Sequence, residues 1–168
     1  MFSIEKHYPL YNKQVYEFIY FLTFNETLAE DLLQETFLRA HKARHTYRGE
    51  ANALTWLRKI AKNVTLDHLK SKKIYFWHTY KELSEKDHDT LPSAEQLYTV
   101  EESKRALYSA IAKLKLDYRL AIILRKIEEL SIAETAAILD WNESKVKNNT
   151  ERGMKALREM MKGDDQNG

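Results

Sequence analysis

The residues that could do chemistry are few, and their spacing narrows what they could do. His41 and His45 stand four apart, which puts two imidazoles on one helix face where they could share a metal ion. Between them lie only Lys-Ala-Arg, and no third ligand follows, so solvated histidines near a phosphate backbone are the better reading. Asp87 and Asp89 pair two carboxylates, but they lie in a polar run, residues 84–90, where a rigid acid–base pair is not expected. The chain has no Cys, which removes thiolate metal sites, disulfides and a cysteine nucleophile. Its four glycines, Gly49, Gly153, Gly163 and Gly168, stand singly and make no phosphate-binding loop. The expectation is a protein that is not an enzyme, with no metal and no cofactor.

Aromatic and amide side chains set among cations are a different matter. Tyr47 and Trp56 offer ring surface close to Arg58, Lys59, Lys62 and Lys70, a mixture that suits a single nucleic-acid strand. Trp56 also falls at core spacing, and burial is the commoner fate of such a residue. A second row comprises Lys145, Lys147, Asn148, Asn149 and Arg152. Asn pairs bidentately with adenine, and Arg with guanine or phosphate, so these residues can read base edges. Glu151 interrupts that row and would repel a phosphate backbone unless it takes a cytosine amine.

Charge is segregated to match. Residues 1–38 carry −4, residues 39–73 carry +8, residues 74–103 carry −5, residues 104–162 carry +5 and residues 163–168 carry −2, although the whole chain sums to only +2. One basic block alone would read as a solvated helix face; two blocks that coincide with aromatic and amide side chains point to a polyanion.

Helices must position these groups. Two Pro and four Gly in 168 residues are too few for the turns of a β-sandwich or barrel, and 43% hydrophobic residues suffice for a core. Pro9 suits a helix's first turn, followed by a stripe of Tyr11, Val15, Phe18 and Leu22. Thr27 and Glu30 form a capping box that opens a helix bearing Leu28, Leu32, Phe37, Leu38, Ala40 and Ala43. A third helix is expected over residues 53–72, with Leu57, Ile60, Ala61, Val64 and His68 inward and Arg58, Lys59, Lys62 and Lys70 on the opposite face. Residues 74–92 break the pattern, starting with the apolar run Ile74, Tyr75, Phe76, Trp77, and read as a linker. Ser93 and Gln96 form a second capping box, for a helix to about Leu114 that turns Leu97, Val100, Leu107 and Ile111 inward. Asp117 is placed to cap the next helix, and Ser131 with Glu134 to box a short one ending near Leu139. A turn at Asp140, Trp141 and Asn142 then leads to a basic helix over residues 143–161, capped by Asn142 or Ser144. Short helix, tight turn and basic helix together make a helix-turn-helix. The expected architecture is all-α, with two small helical domains at residues 1–73 and 93–168 joined by a linker over residues 74–92.

Three stretches together resemble a known family. Ala-Glu-Asp-Leu-Leu-Gln-Glu-Thr-Phe at residues 29–37, Tyr-Arg-Gly-Glu at 47–50 and Thr-Trp-Leu-Arg-Lys-Ile-Ala-Lys-Asn at 55–63 are similar to the extracytoplasmic-function sigma factors of bacteria. Leu-Ser-Ile-Ala-Glu-Thr-Ala at 130–136 and Lys-Ala-Leu-Arg at 155–158 look like that family's region 4. The resemblance implies that the helix with Asp31, Leu32, Gln34 and Glu35 docks on core RNA polymerase. It implies that the loop with Tyr47, Arg48 and Gly49, and the helix face with Trp56, Arg58, Lys59, Lys62 and Asn63, hold the melted minus-ten strand of a promoter. The second domain, through Ser144, Lys145, Lys147, Asn148, Asn149 and Arg152, would read the duplex minus-thirty-five element. An anti-sigma factor as regulatory partner and a cytoplasmic location follow from the family as well, and no apolar run approaches the ~20 residues of a membrane span. Family members usually carry Ser or Arg and an apolar residue where this chain has Asn148, Asn149, Thr150 and Glu151. An ordinary helix-turn-helix regulator of duplex DNA, acting without polymerase, is the alternative. A helical protein-interaction adaptor would explain the apolar faces but not the +8 segment.

Overall fold

Ser3 takes an extended backbone and its hydroxyl accepts from the Lys6 N–H, which opens helix α1 (Ile4–Thr23). Pro9 therefore lies in the second turn and not the first, on an exposed flank where the one lost backbone bond faces water. Phe24 ends α1 in the left-handed conformation (φ 47°), and its buried ring anchors the link to α2 (Glu26–Lys42). That tight link moves the start of α2 two residues ahead of the expected Thr27–Glu30 box. Asn25 is the cap, its Oδ1 accepting from the Leu28 N–H at 3.0 Å. A 3-10 turn, Arg44–Thr46, follows, and Asn52 caps α3 (Ala53–Tyr80) by accepting from the Leu54 N–H. The computed structural model describes residues 1–49, 52–80 and 102–165, and its chain divides into two compact units, Met1–Thr90 and Leu91–Gly168.

In the first unit α1, α2 and α3 pack on one another around Val15, Phe18, Leu22, Phe37, Leu57 and Ala61, all buried. Leu38, expected inward, is 52% exposed, because Leu33, Thr36 and Ala40 complete the buried stripe without it. α3 does not stop at Lys72. Residues 74–80 continue it, since none is Gly or Pro and aromatic residues lower helix propensity only slightly. The capping box at Ser93 and Gln96, the inward Leu97 and Val100, and the acids Asp87 and Asp89 lie outside the described residues.

The second unit contains α4 (Glu102–Lys113), α5 (Leu116–Ile122) continued by a π-turn Ile123–Ile127, α6 (Ile132–Leu139) and α7 (Glu143–Asp165). No strand occurs among the described residues. Arg119 donates to the carbonyls of Ala112 at 2.6 Å and Leu114 at 3.3 Å, capping the C-terminal end of α4 where the helix dipole favours a cation. Burial pulls its pKa below the usual arginine value, and the guanidinium still stays charged. Asp117 makes no cap; it lies inside the first turn of α5 behind Lys115. α7 crosses α5 closely because Gly153 has no side chain: a Cβ there would stand 3.1 Å from both Ile122 Cγ1 and Tyr118 Cβ.

Candidate nucleic-acid interface

The first basic surface lies at the start of α3. Trp56, Lys59, Asn63, Asp67 and Lys70 recur at i, i+3, i+7, i+11 and i+14 and form one stripe of that helix. Asn63 and Lys70 are exposed, while Trp56 and Lys59 are half-buried. Arg58 and Lys62 do not share this face. They are 5% and 6% exposed, because α3 packs on both α1 and α2 and its buried arc widens to include them. Trp56 is neither a free stacking platform nor a core residue: its ring meets Phe2 edge-on at 5.1 Å and Tyr47 at 5.2 Å. Phe2 is 1% exposed and stacks on His7 at 4.7 Å, so a ring ahead of the first helix supports the aromatic surface of residues 47 and 56. Nothing local in the sequence signals this contact. Beside it Arg48 is exposed, and Gly49 takes φ +74°, a conformation that strains any other L-residue.

The α2 surface is separate. Asp31 and Gln34 point outward, and Glu35 is half-buried and bonded to Arg39 at 2.7 Å. Arg39 also reaches Asp67 on α3 at 3.5 Å, and these two carboxylates, Glu35 foremost, raise its pKa. Leu32 is turned inward, 6% exposed, and holds the helix that carries the others. His41 and His45 are exposed, and among the described residues no three His, Asp or Glu side chains gather as metal ligands.

In the second unit the capping box is present as expected: the Glu134 N–H donates to Ser131 Oγ at 3.1 Å and the Ser131 N–H to Glu134 Oε2 at 2.8 Å. Asp140 ends α6 in the left-handed region (φ 55°), and the Trp141 N–H reaches back to the Ala136 carbonyl, which closes the turn. Asn142 caps α7, accepting from the Lys145 N–H at 2.7 Å, and Ser144 is left exposed on the first turn. Buried Ala136, Leu139 and Val146 fix α6 against α7.

The expected reading row divides in two. Lys145 lies over the Trp141 ring at 4.4 Å and within 3.8 Å of Asp117, so it fastens α7 to α5. Asn149 donates to the Lys145 carbonyl at 2.9 Å and Thr150 to the Val146 carbonyl at 2.7 Å, so both side chains are used on their own helix. Lys147, Asn148, Glu151 and Arg152 are exposed, and their side chains form no hydrogen bond or ion pair among the described residues. They lie on the outer side of the second helix of a helix-turn-helix.

Comparison with known proteins agrees with this arrangement. Residues 7–74 match the model of sigma-70 region 2, and residues 104–157 match that of sigma-70 region 4. The chain is 34% identical over 162 residues to the ECF RNA polymerase sigma factor SigX of Bacillus subtilis, which covers 92% of this chain and 81% of that protein. The chain belongs to the extracytoplasmic-function RNA polymerase sigma factors. Promoter-specific initiation by RNA polymerase is thus its functional class. SigW of Bacillus subtilis is 30% identical, covering 91% of this chain and 86% of its own. The fold is shared with the sigma factor RpoE of Bartonella quintana, solved in complex with the anti-sigma factor NepR, at a TM-score of 0.77 and 21% identity over 95% of this chain and 96% of that one. No helix among the described residues is long and apolar enough to cross a membrane.

Proposed function

We propose that this sigma factor docks on core RNA polymerase through α2, captures the melted minus-ten strand at the start of α3, and reads a duplex minus-thirty-five element with α7. The observation that carries the reading is the order of the two matched regions on two helical units, the second holding a helix on which Lys147, Asn148 and Arg152 are exposed, without side-chain partners among the described residues. Asp31, Gln34 and Glu35 form the docking face, and Leu32 holds it in place. Tyr47, Arg48, Gly49, Trp56, Lys59 and Asn63 receive the strand. A base leaves the duplex at a cost of a few kcal/mol, so a surface that holds it favours opening. Arg58 and Lys62 are buried in the bundle and make no phosphate contact of their own. Lys147, Asn148 and Arg152 meet base edges and phosphates, while Lys145 and Asn149 keep α7 in place. No step needs chemistry from the chain itself. An anti-sigma factor that covers either unit would keep it from polymerase, a role supported by the complex in which its Bartonella structural relative was solved.

Run-off transcription with purified core polymerase on a library of random promoters tests the whole reading. Enriched transcripts that share two spaced upstream elements are expected. If core polymerase is not redirected while the chain alone retains duplex DNA, the reading gives way to an ordinary regulator. Asn63→Ala is expected to weaken promoter opening and spare polymerase binding, whereas Gln34→Ala with Glu35→Lys is expected to lower affinity for core polymerase.

A further inference from the structure

The outward arc of α7 carries Ser144, Lys147, Asn148, Glu151, Arg152 and Lys155, all exposed. At 100° per residue Glu151 falls near the middle of that arc, with Lys147 on one side and Asn148 and Arg152 on the other. A helix uses an exposed acid in two ordinary ways, and this one serves neither. It is the ninth residue of α7, beyond the first turn where a negative charge complements the helix dipole. Lys147 and Lys155 stand one turn to either side, yet Glu151 forms no ion pair or hydrogen bond among the described residues. It also lines a shallow groove with Arg125, Lys126 and Arg158, and pairs with none of them.

An unpaired carboxylate in the centre of a surface that meets DNA lowers affinity for every sequence, unless a base edge donates to it. In the major groove only the cytosine N4 amine and the adenine N6 amine donate. Adenine presents the N7 acceptor beside its amine, which repels a carboxylate, whereas cytosine presents no acceptor there. Guanine and thymine offer the acceptors O6, N7 and O4.

We propose that Glu151 is a specificity-determining residue, whose carboxylate accepts a hydrogen bond from the N4 amine of a cytosine in the element read by α7. The assignment rests on the promoter reading above. Glu151 discriminates in two directions, by accepting from one base and by repelling the acceptors of the other three. Lys147, Asn148 and Arg152 supply the affinity that an acid at this place subtracts.

The test is selection of bound promoters by core polymerase with the full chain, from a library randomised across the upstream element. Wild type, Glu151→Gln and Glu151→Ala are compared. The wild type is expected to enrich cytosine at one position by about tenfold or more over other bases. Glu151→Gln should move that position to adenine, which a carboxamide pairs bidentately, and Glu151→Ala should level it, with the remaining positions unchanged. The same base preferences in all three proteins would overturn the assignment. So would a Glu151→Ala protein that binds every sequence more tightly by one factor, since the acid would then only repel phosphates. A wild type that enriches no upstream element overturns the promoter reading beneath it, an outcome distinct from a wild-type element indifferent to residue 151.

Discussion

The bundle of the first unit and the outer face of α7 hold cations in opposite ways. In the first, Arg58 and Lys62 are almost wholly buried, and Arg39 is tied to Glu35 and Asp67 across two helices. In the second, Lys147 and Arg152 stand in solvent beside Asn148 and Glu151, without side-chain partners among the described residues, while Lys145 and Asn149 are engaged. The supports differ too. The aromatic surface at Tyr47 and Trp56 is backed by a ring, Phe2, whereas α7 is seated by a missing side chain, Gly153. Bases of a single strand stack on aromatic rings, so a surface of that kind offers ring area. A helix that reads duplex DNA needs a firm seat and free side chains.

The sharpest way to break this contrast is to remove the ring. Phe2→Ala deletes a fully buried aromatic and is expected to cost about 3 kcal/mol of stability in urea unfolding. It should weaken promoter opening more than polymerase binding, because Tyr47 and Trp56 lose their backing. A loss well under 1 kcal/mol would mean that Phe2 merely covers the bundle. In the second unit the corresponding change adds atoms. Gly153→Leu drives carbon into Tyr118 and Ile122 and is expected to cost about 1–3 kcal/mol by overpacking, with α7 displaced from α5. If α7 reads the upstream element as proposed, recognition of that element should fall with it, while affinity for core polymerase is retained.

How much of this was legible in the sequence depends on the range of the interaction that fixed each feature. The Ser131–Glu134 box and the turn at Asp140 are settled within a few residues, and the sequence announces both; it offers Asn142 or Ser144 for the next cap, and Asn142 takes it. α2 starts ahead of Thr27 because Phe24 ends one helix in the left-handed conformation and lets Asn25 cap the next, a choice that depends on burying the Phe24 ring. Arg58 and Lys62 were expected outward since cations normally are; their burial follows from α3 being covered by two helices, which no single-helix pattern reveals. The support of Trp56 by Phe2 joins positions far apart in the chain and left no local trace. The seat at Gly153 did leave one, a lone glycine inside an amphipathic helix.

Salt sharpens the comparison at a smaller scale. Each phosphate contact releases counterions, so Lys147→Met should reduce the slope of log affinity against log salt by about one, uniformly across promoters. Lys62→Met should leave the slope as it is, because that residue is buried. Equal changes in the two variants would erase the distinction between the units. Titrating holoenzyme binding to one promoter fragment over a range of salt concentrations decides it.

The smallest effect concerns pH and belongs to the first unit. Burial, then the charges of Glu26 and Glu30, raise the pKa of the Tyr16 phenol above its ordinary value of 10.0. The folded chain thus holds this proton more tightly than the unfolded chain does. The stability this adds is complete below pH about 10, the unfolded value, and is lost as pH climbs through the raised folded value. Tyr16→Phe carries no such proton, so the alkaline fall in stability should become shallower, with little change at neutral pH. Urea unfolding of both proteins at neutral pH and above pH about 10 measures the difference. Parallel alkaline limbs would mean that the phenol titrates alike in both states, and that the acids at the start of α2 do not bear on α1. A shallower limb would place the alkaline weakness at the Tyr16 phenol, whose proton is held first by burial and then by Glu26 and Glu30 of α2.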